Sequence, residues 1–263
     1  MKKLIAQIKA KISDHQFEKS ERRIQKFVEE YNQKNKLQQI ILDVDSLSTS
    51  TGAGLYDYTL LHSYIRERKP TYILECGTGK STWILADALK KNFEEFGIKG
   101  KLISMENIHQ YYTEACNNLP KEIADFVEIH FSELEDYSFS IFTGNSYKNI
   151  PEYPYEFIFI DGPDDPYVGE YTALKRPNMD LIKLLHKTTN PITAVIDYRL
   201  PTVIAYGIVF GKKKVQFLKP WNIGLIENIT KNDILISKEN MVQMQILKDV
   251  ATYEFKQPSW INV

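Results

Sequence analysis

The sequence predicts an α/β protein built on a doubly wound, mostly parallel sheet. Three observations carry this. Short apolar runs alternate with helix-period segments between residue 70 and about residue 200. One run, Tyr155-Glu156-Phe157-Ile158-Phe159-Ile160-Asp161, is apolar at nearly every position, as a strand covered on both faces must be. The first run empties into a glycine turn that opens directly into a helix.

Taken in order, residues 1–40 are helix-prone, with apolar residues at Ile5, Ile8, Ile12, Phe17, Ile24, Phe27, Val28 and Tyr31. This arm holds ten Lys/Arg against five Asp/Glu. It is expected to pack on the domain or on a second subunit, with peripheral membrane contact as the sharper alternative. Residues 46–54 form a small-residue loop, and a helix is expected from Tyr58 to Arg68, closed by Pro70. The domain division is therefore 1–45, a basic helical extension, and 46–263, the α/β domain.

Strands are expected at Tyr72–Glu75, Lys101–Glu106, Phe126–His130, Tyr155–Asp161 and Ile192–Asp197. Helices are expected at Ser81 to about Phe93, His109 to about Asn117, and Thr172 to His186. After Gly211, the segments Lys214–Leu218, Gly224–Ile229 and Asp233–Ser237 read as paired antiparallel strands. The stretch Asp164–Glu170, with Pro166 and Gly169, is expected to be a mobile loop over the site.

Bulk properties exclude several classes. With a net charge of -1, the chain has no global field for a phosphate backbone, so nucleic acid is not expected as a partner. The two cysteines, Cys76 and Cys116, have no metal-ligand spacing and point to a reducing, cytoplasmic setting. The N-terminus lacks an uninterrupted apolar run, and nothing approaches the roughly 20 apolar residues of a membrane span.

The chemistry gathers at Glu75-Cys76-Gly77-Thr78-Gly79-Lys80-Ser81-Thr82. Gly77 and Gly79 let a ligand approach bare backbone, and N–H groups at the helix start hold polar groups. A dinucleotide fingerprint would need a third glycine where Thr82 stands. A triphosphate loop would need an opening glycine where Leu74 stands, although Gly79-Lys80-Ser81 and Asp161 imitate its other parts.

The motif resembles the first motif of class I S-adenosylmethionine-dependent methyltransferases, and the strand ends Glu106, Ile160-Asp161-Gly162-Pro163 and Asp197-Tyr198-Arg199 agree with it in order over roughly residues 56–210. More narrowly, the chain is similar to bacterial methyltransferases acting on sugars or other small hydroxyl compounds. The resemblance implies a seven-stranded, Rossmann-like sheet ending in an antiparallel hairpin. It implies S-adenosylmethionine held by Glu75, Gly77, Thr78, Gly79, Ser81, Glu106 and Asp161, with Glu106 on the ribose. For methyl transfer to oxygen, Asp161 is the leading catalytic candidate, with Arg199 and Arg176 available to an anionic substrate group. Asp161 and Asp197 would share a divalent cation such as magnesium, although Tyr198 replaces the second acid that many relatives carry.

Seven tyrosines, at 56, 58, 153, 155, 167, 171 and 198, are expected near the mouth. His109 is expected at a helix start near the adenine or as a cap; His130 is ambiguous and His186 structural. Two other functions stay open: a non-catalytic binding protein that keeps the fold, and an enzyme using ATP or GTP.

Overall fold

A computed structural model describes residues 21–47, 54–163, 176–218 and 223–235. Helix α1 runs through 21–35 and α2 through Leu37–Asp45; then follow α3 (Leu55–Arg68), β1 (Tyr72–Cys76), α4 (Lys80–Phe96) and β2 (Lys101–Glu106). Next come α5 (His109–Asn118), α6 (Lys121–Ala124), β3 (Val127–Phe131), β4 (Leu134–Phe139), β5 (Phe142–Tyr147) and β6 (Phe157–Ile160). The chain continues through α7 (Asp180–Leu185), β7 (Ile192–Asp197), α8 (Leu200–Phe210), β8 (Val215–Leu218) and β9 (Ile223–Ile229) to a short 3-10 turn at Lys231–Asp233.

Seven strands form one sheet in the order β3-β2-β1-β6-β7-β9-β8. The first five of these pair in parallel, while β9 runs antiparallel between β7 and β8. The chain thus leaves β1 in one direction to β2 and β3, then returns across β1 to β6 and β7. Open α/β sheets form their ligand crevice at such a reversal, here beyond the carboxyl ends of β1 and β6.

Both faces of the sheet are covered, which explains the continuous apolar runs of β1 and β6. One core packs Ile73, Phe157, Phe159 and Val195 under α3 and α4. The other packs Leu74, Ile158, Ile160 and Ala194 under α7 and α8, with Tyr147 from β5. The 21–45 segment joins the first core through buried Ile24, Val28 and Leu37. The Tyr31 hydroxyl meets Nδ1 of buried His62 at 2.8 Å, and His62 Nε2 meets Asp87 at 2.9 Å. Burial lowers the His62 pKa against the pull of Asp87, so this anchor is held neutral.

Three expectations need correction. No helix runs through 176–179: Arg176 and Pro177 are not helical, Asn178 forms a parallel bridge with Asn145, and α7 starts only at Asp180. The expected strand from Asp233 does not form within the described residues, because Asp233 caps the 3-10 turn by accepting from Thr230 N at 2.8 Å. Tyr153 and Tyr155 lie before β6, at the opposite end of the sheet from the crevice, where Tyr153 stacks on Tyr72. The Asp164–Glu170 loop, Tyr167 and Tyr171 fall outside the described residues. No helix among the described residues is long and apolar enough to cross a membrane.

Candidate functional site

The loop between β1 and α4 is three residues long, and a second backbone crosses it. Gly77 sits at φ +98°, and a Cβ there would lie 2.9 Å from Gly162 N. A Cβ on Gly162 would lie 2.7 Å from both N and Cα of Gly77. Neither position has room for a side chain, so two bare backbones meet at the strand-order reversal. Asp161 N and Gly162 N both donate to Cys76 O, the former at 3.0 Å.

Beneath this turn lies a hydroxyl network. Thr82 Oγ1 accepts from Gly79 N at 3.1 Å and donates to Glu75 Oε2 at 2.6 Å. Ser104 Oγ donates to the same oxygen at 2.5 Å and shares a hydrogen bond with Thr78 Oγ1 at 2.8 Å. Glu75 is fully buried, and its Oε1 has no hydrogen-bond partner among the described residues. Burial pushes the carboxyl up to about 7; the Asp161 charge adds to this, and the hydroxyls oppose it. Glu75 therefore supports the turn from below, while Gly77, Thr78 and Gly79 are partly exposed above it and Ser81 is buried in the first turn of α4.

Glu106 ends β2 beside the same turn. Its Oε1 accepts from Asn107 N and Ile108 N, both at 2.8 Å, and its Oε2 accepts from Thr78 N at 3.3 Å. The carboxylate reaches across from the second strand to the glycine loop.

On the other side of the crevice stand Asp161 and Asp197, at the ends of neighbouring strands β6 and β7. Asp197 is pushed up to about 7, by burial first and then by Asp161 and Asp57. Asp57, in the first turn of α3, is pushed up to about 6 by burial, with Asp161 adding to the shift. Three carboxylates thus feel one another here, and only Arg199 among the groups acting on Asp197 favours its charge. The Arg199 guanidinium donates to Asp161 O and, at 2.8 Å, to Pro163 O. It grips the backbone of the strand end. Tyr198, 78% exposed, sits between Asp197 and Arg199 at φ +39°.

Other expected residues lie elsewhere. Arg176 pairs with Asp136 of β4 at 2.7 Å. His109 opens α5 and packs edge-on against Phe131, His130 pairs with Glu128 at 3.4 Å, and His186 bonds Ile182 O at the end of α7. Lys80, which a triphosphate loop would aim at phosphate, is engaged by Asp45 of α2 at 2.5 Å.

Sequence reasoning missed Asp57, Asn178 and Asp180. Asp57 closes a capping arrangement by accepting from Gly54 N at 3.0 Å, and the spacing Gly54-Leu55-Tyr56-Asp57 is the signal that would have placed the helix start there. Asn178 and Asp180 stand just ahead of the apolar run Leu181-Ile182, an unusual place for two buried polar residues.

No protein-family model matches the chain, and no curated protein matches it. Several solved structures do. The chain is similar to the SAH-bound methyltransferase PaMTH1 of Podospora anserina, at 16% identity and TM-score 0.40, over 67% of this chain and 65% of that one, slightly under two thirds of its length. It is also similar to the O-methyltransferase TomG of Streptomyces achromogenes in complex with SAM, at 18% identity and TM-score 0.42, over 74% of this chain and 89% of that one. An O-methyltransferase of Bacillus cereus in complex with SAH aligns at 18% identity and TM-score 0.40, over 77% of this chain and 90% of that one. At these identities and TM-scores the likenesses carry no argument about what the chain does.

Proposed function

We propose that this chain transfers the methyl group of S-adenosylmethionine to an oxygen of a sugar or another small-molecule acceptor. The observation that supports this most is the Gly77–Gly162 crossing. It packs two backbones against each other and so fixes the partly exposed Gly77–Gly79 turn at the strand-order reversal, flanked by the carboxylates of Glu106 on one side and of Asp161 and Asp197 on the other. A flat nucleoside with a cationic sulfonium suits a bare, acid-flanked crevice better than a triphosphate does.

S-adenosylmethionine supplies a methyl group already activated for transfer, so the chain must align the acceptor and exclude water. Gly77, Thr78 and Gly79 offer backbone to the cofactor, with Ser81 behind them and Glu75 supporting them from below. Glu106 takes the ribose hydroxyls by exchanging its present backbone N–H partners for them. Asp161 and Asp197 act as a carboxylate pair that accepts the acceptor hydroxyl proton. A group near 7 is half-ionised at neutral pH and so both takes and releases a proton readily. Arg199 holds the Asp161 backbone so that this carboxylate keeps its direction.

A shared cation fits less well. Among the described residues no group of three or more His, Cys, Asp or Glu sits together as a ligand set. Magnesium usually takes about six oxygens, and Asp57, which acts on Asp161 and Asp197 through its charge, is turned to Gly54 N at the start of α3, so no step is assigned to a metal.

A thermal-shift panel of S-adenosylmethionine, S-adenosylhomocysteine, NAD and Mg-ATP tests the reading. The first two are expected to raise Tm and the last two to leave it unchanged. A shift with Mg-ATP alone would favour the triphosphate reading, and no shift with any of them would favour a non-catalytic role. Transfer of labelled methyl to a panel of sugars and small hydroxyl compounds, run with and without chelator, then tests the acceptor and the metal.

A further inference from the structure

The two loops assigned to the crevice, Gly77–Gly79 and Asp161–Pro163, are tied together from below by a buried pair, Asn178 and Asp180. We infer that Asn178, seated by Asp180, is a positioning residue that sets the spacing of these loops before any ligand arrives. The consequence for catalysis rests on the methyl-transfer reading; the geometry does not.

Asn178 is 1% exposed, and every polar atom of its amide is used. Nδ2 donates to Gly162 O at 3.1 Å and to Asp180 Oδ2 at 2.6 Å. Oδ1 accepts from Asp180 N at 2.9 Å and from Tyr206 Oη at 3.5 Å. Its backbone N donates to Thr202 Oγ1 of α8 at 2.9 Å. An amide has two donor hydrogens and two acceptor sites, so turning this one over would set donor against donor at Asp180 and lose Gly162.

Asp180 is fully buried and accepts from Ser146 Oγ at 2.7 Å and Tyr147 N at 2.9 Å through one oxygen. Its other oxygen accepts from Asn178 and from the Cys76 thiol at 3.4 Å. Cys76 is the last residue of β1, and its carbonyl receives Gly162 N. The hydrogen bonds therefore close a ring: Cys76 to Asp180, Asp180 to Asn178, Asn178 to Gly162, and Gly162 back to Cys76. Above the ring, Gly77 and Gly162 touch; below it, Asn178 is bridged to Asn145 of β5. The small hairpin β4–β5 thus bears on the ring at several points: Asn145 through its backbone bonds to Pro177 and Met179, and Ser146 and Tyr147 through their bonds to Asp180.

A buried polar ring adds little net stability compared with an apolar filling of the same shape. What it fixes is geometry: Gly162 O has one direction available, and Arg199 fixes the carbonyls on either side of it. Asp161, whose charge acts on Glu75, Asp57 and Asp197, is held at both its N–H and its carbonyl.

Two measurements on the full chain test this. In the ligand-free protein, hydrogen exchange at the Asp161 and Gly162 amides should be slow and should change little when S-adenosylhomocysteine is added. Exchange at the rate of an exposed loop without ligand, slowing only on binding, overturns the inference. For the variants, calorimetry with S-adenosylhomocysteine should show Asn178→Ala binding about tenfold more weakly than the parent, in line with one misplaced buried hydrogen-bonding group. Asn92→Ala is the control: it removes a buried amide bonded to Ile65 O far from the crevice, and should lower Tm while leaving affinity unchanged. Equal affinity for Asn178→Ala and the parent means the ring is only structural. If Asn178→Ala does not fold, Asn178→Ser takes its place in the same titration, because slow exchange at Asp161 and Gly162 in the parent reports their bonds to Cys76 O and only fast exchange there bears on the inference. If the parent binds no S-adenosylhomocysteine, the methyl-transfer reading falls, while exchange still reports whether the loops are fixed in advance.

Discussion

Glu75 and Asp180 are both fully buried carboxylic acids beside the end of β1, and they lie on opposite faces of the sheet because consecutive strand residues point oppositely. Glu75 reaches toward α4 and meets Thr82 and Ser104 through one oxygen, leaving the other without a hydrogen bond among the described residues. Asp180 comes from α7 to meet Cys76, the neighbour of Glu75, and accepts four hydrogen bonds spread over both oxygens. Burial raises the pKa of each. One acid is completed by the fold. The other keeps one oxygen without a hydrogen bond among the described residues, beneath the proposed cofactor turn and within reach of the Asp161 charge, so a cationic ligand on that turn would favour its ionised form. The difference separates a device that fixes a site from one that answers its occupant.

The largest effect should come from Asp180→Ala. It strands the Ser146 hydroxyl, the Tyr147 N–H and the Asn178 amide together, and urea unfolding should report a loss of about 3–5 kcal/mol. A loss under about 1 kcal/mol would mean that the four bonds are replaceable by water. Gly77→Ala comes next. Its φ of +98° and the 2.9 Å approach to Gly162 should cost about 1–3 kcal/mol and displace the turn above Glu75.

Isosteric changes sharpen the contrast. Asp180→Asn sets an amide donor against the Asn178 donor and should cost about 1–3 kcal/mol at every pH. Glu75→Gln keeps an acceptor for Thr82 and Ser104 and removes a charge near Asp161. It should be neutral at pH 5 and stabilising at pH 8. Parallel losses in the two variants would erase the distinction drawn here.

The pH dependence follows from the direction of the shifts. Glu75 and Asp197 are pushed up to about 7 and Asp57 to about 6. Between about pH 4 and 7 the folded state therefore holds more protons than the unfolded chain. Stability is fullest below the unfolded values and is lost as pH rises through the folded ones. The smallest predicted effect is that of Asp197→Asn: a Tm higher by about 2–4 °C at pH 8 and unchanged at pH 5, the shift roughly 1 kcal/mol gives a chain of this size. A Tm that falls at pH 8 would show that Asp197 is stabilised as an ion in the free protein.

The strands were legible because burial on both faces forces uninterrupted apolar runs, as in Phe157–Ile160, and the turn from β1 into α4 was legible because Gly77 and Gly79 punctuate strand and helix. Three parts were not. The hairpin Leu134–Phe139 with Phe142–Tyr147 is half-exposed and mixed in polarity, so no period stands out. Helix α8 is apolar nearly all round, Leu200 to Phe210, and gives no amphipathic signal to announce it. Asp57, Asn178 and Asp180 act through contacts made by tertiary packing. Asp57 reaches the crevice from a helix that precedes the sheet, and Asn178 meets Gly162 from sixteen residues away. Local pattern carries no trace of such meetings.

If the Gly77–Gly79 turn, packed on Gly162, receives S-adenosylmethionine, then isothermal titration of S-adenosylhomocysteine into the protein should give saturable binding to one site per chain, in the micromolar range. Binding should vanish in Gly77→Arg when circular dichroism shows that variant to be folded. Absent or unsaturable heat with the parent, or undiminished binding in a folded Gly77→Arg, would mean that the turn does not hold the cofactor.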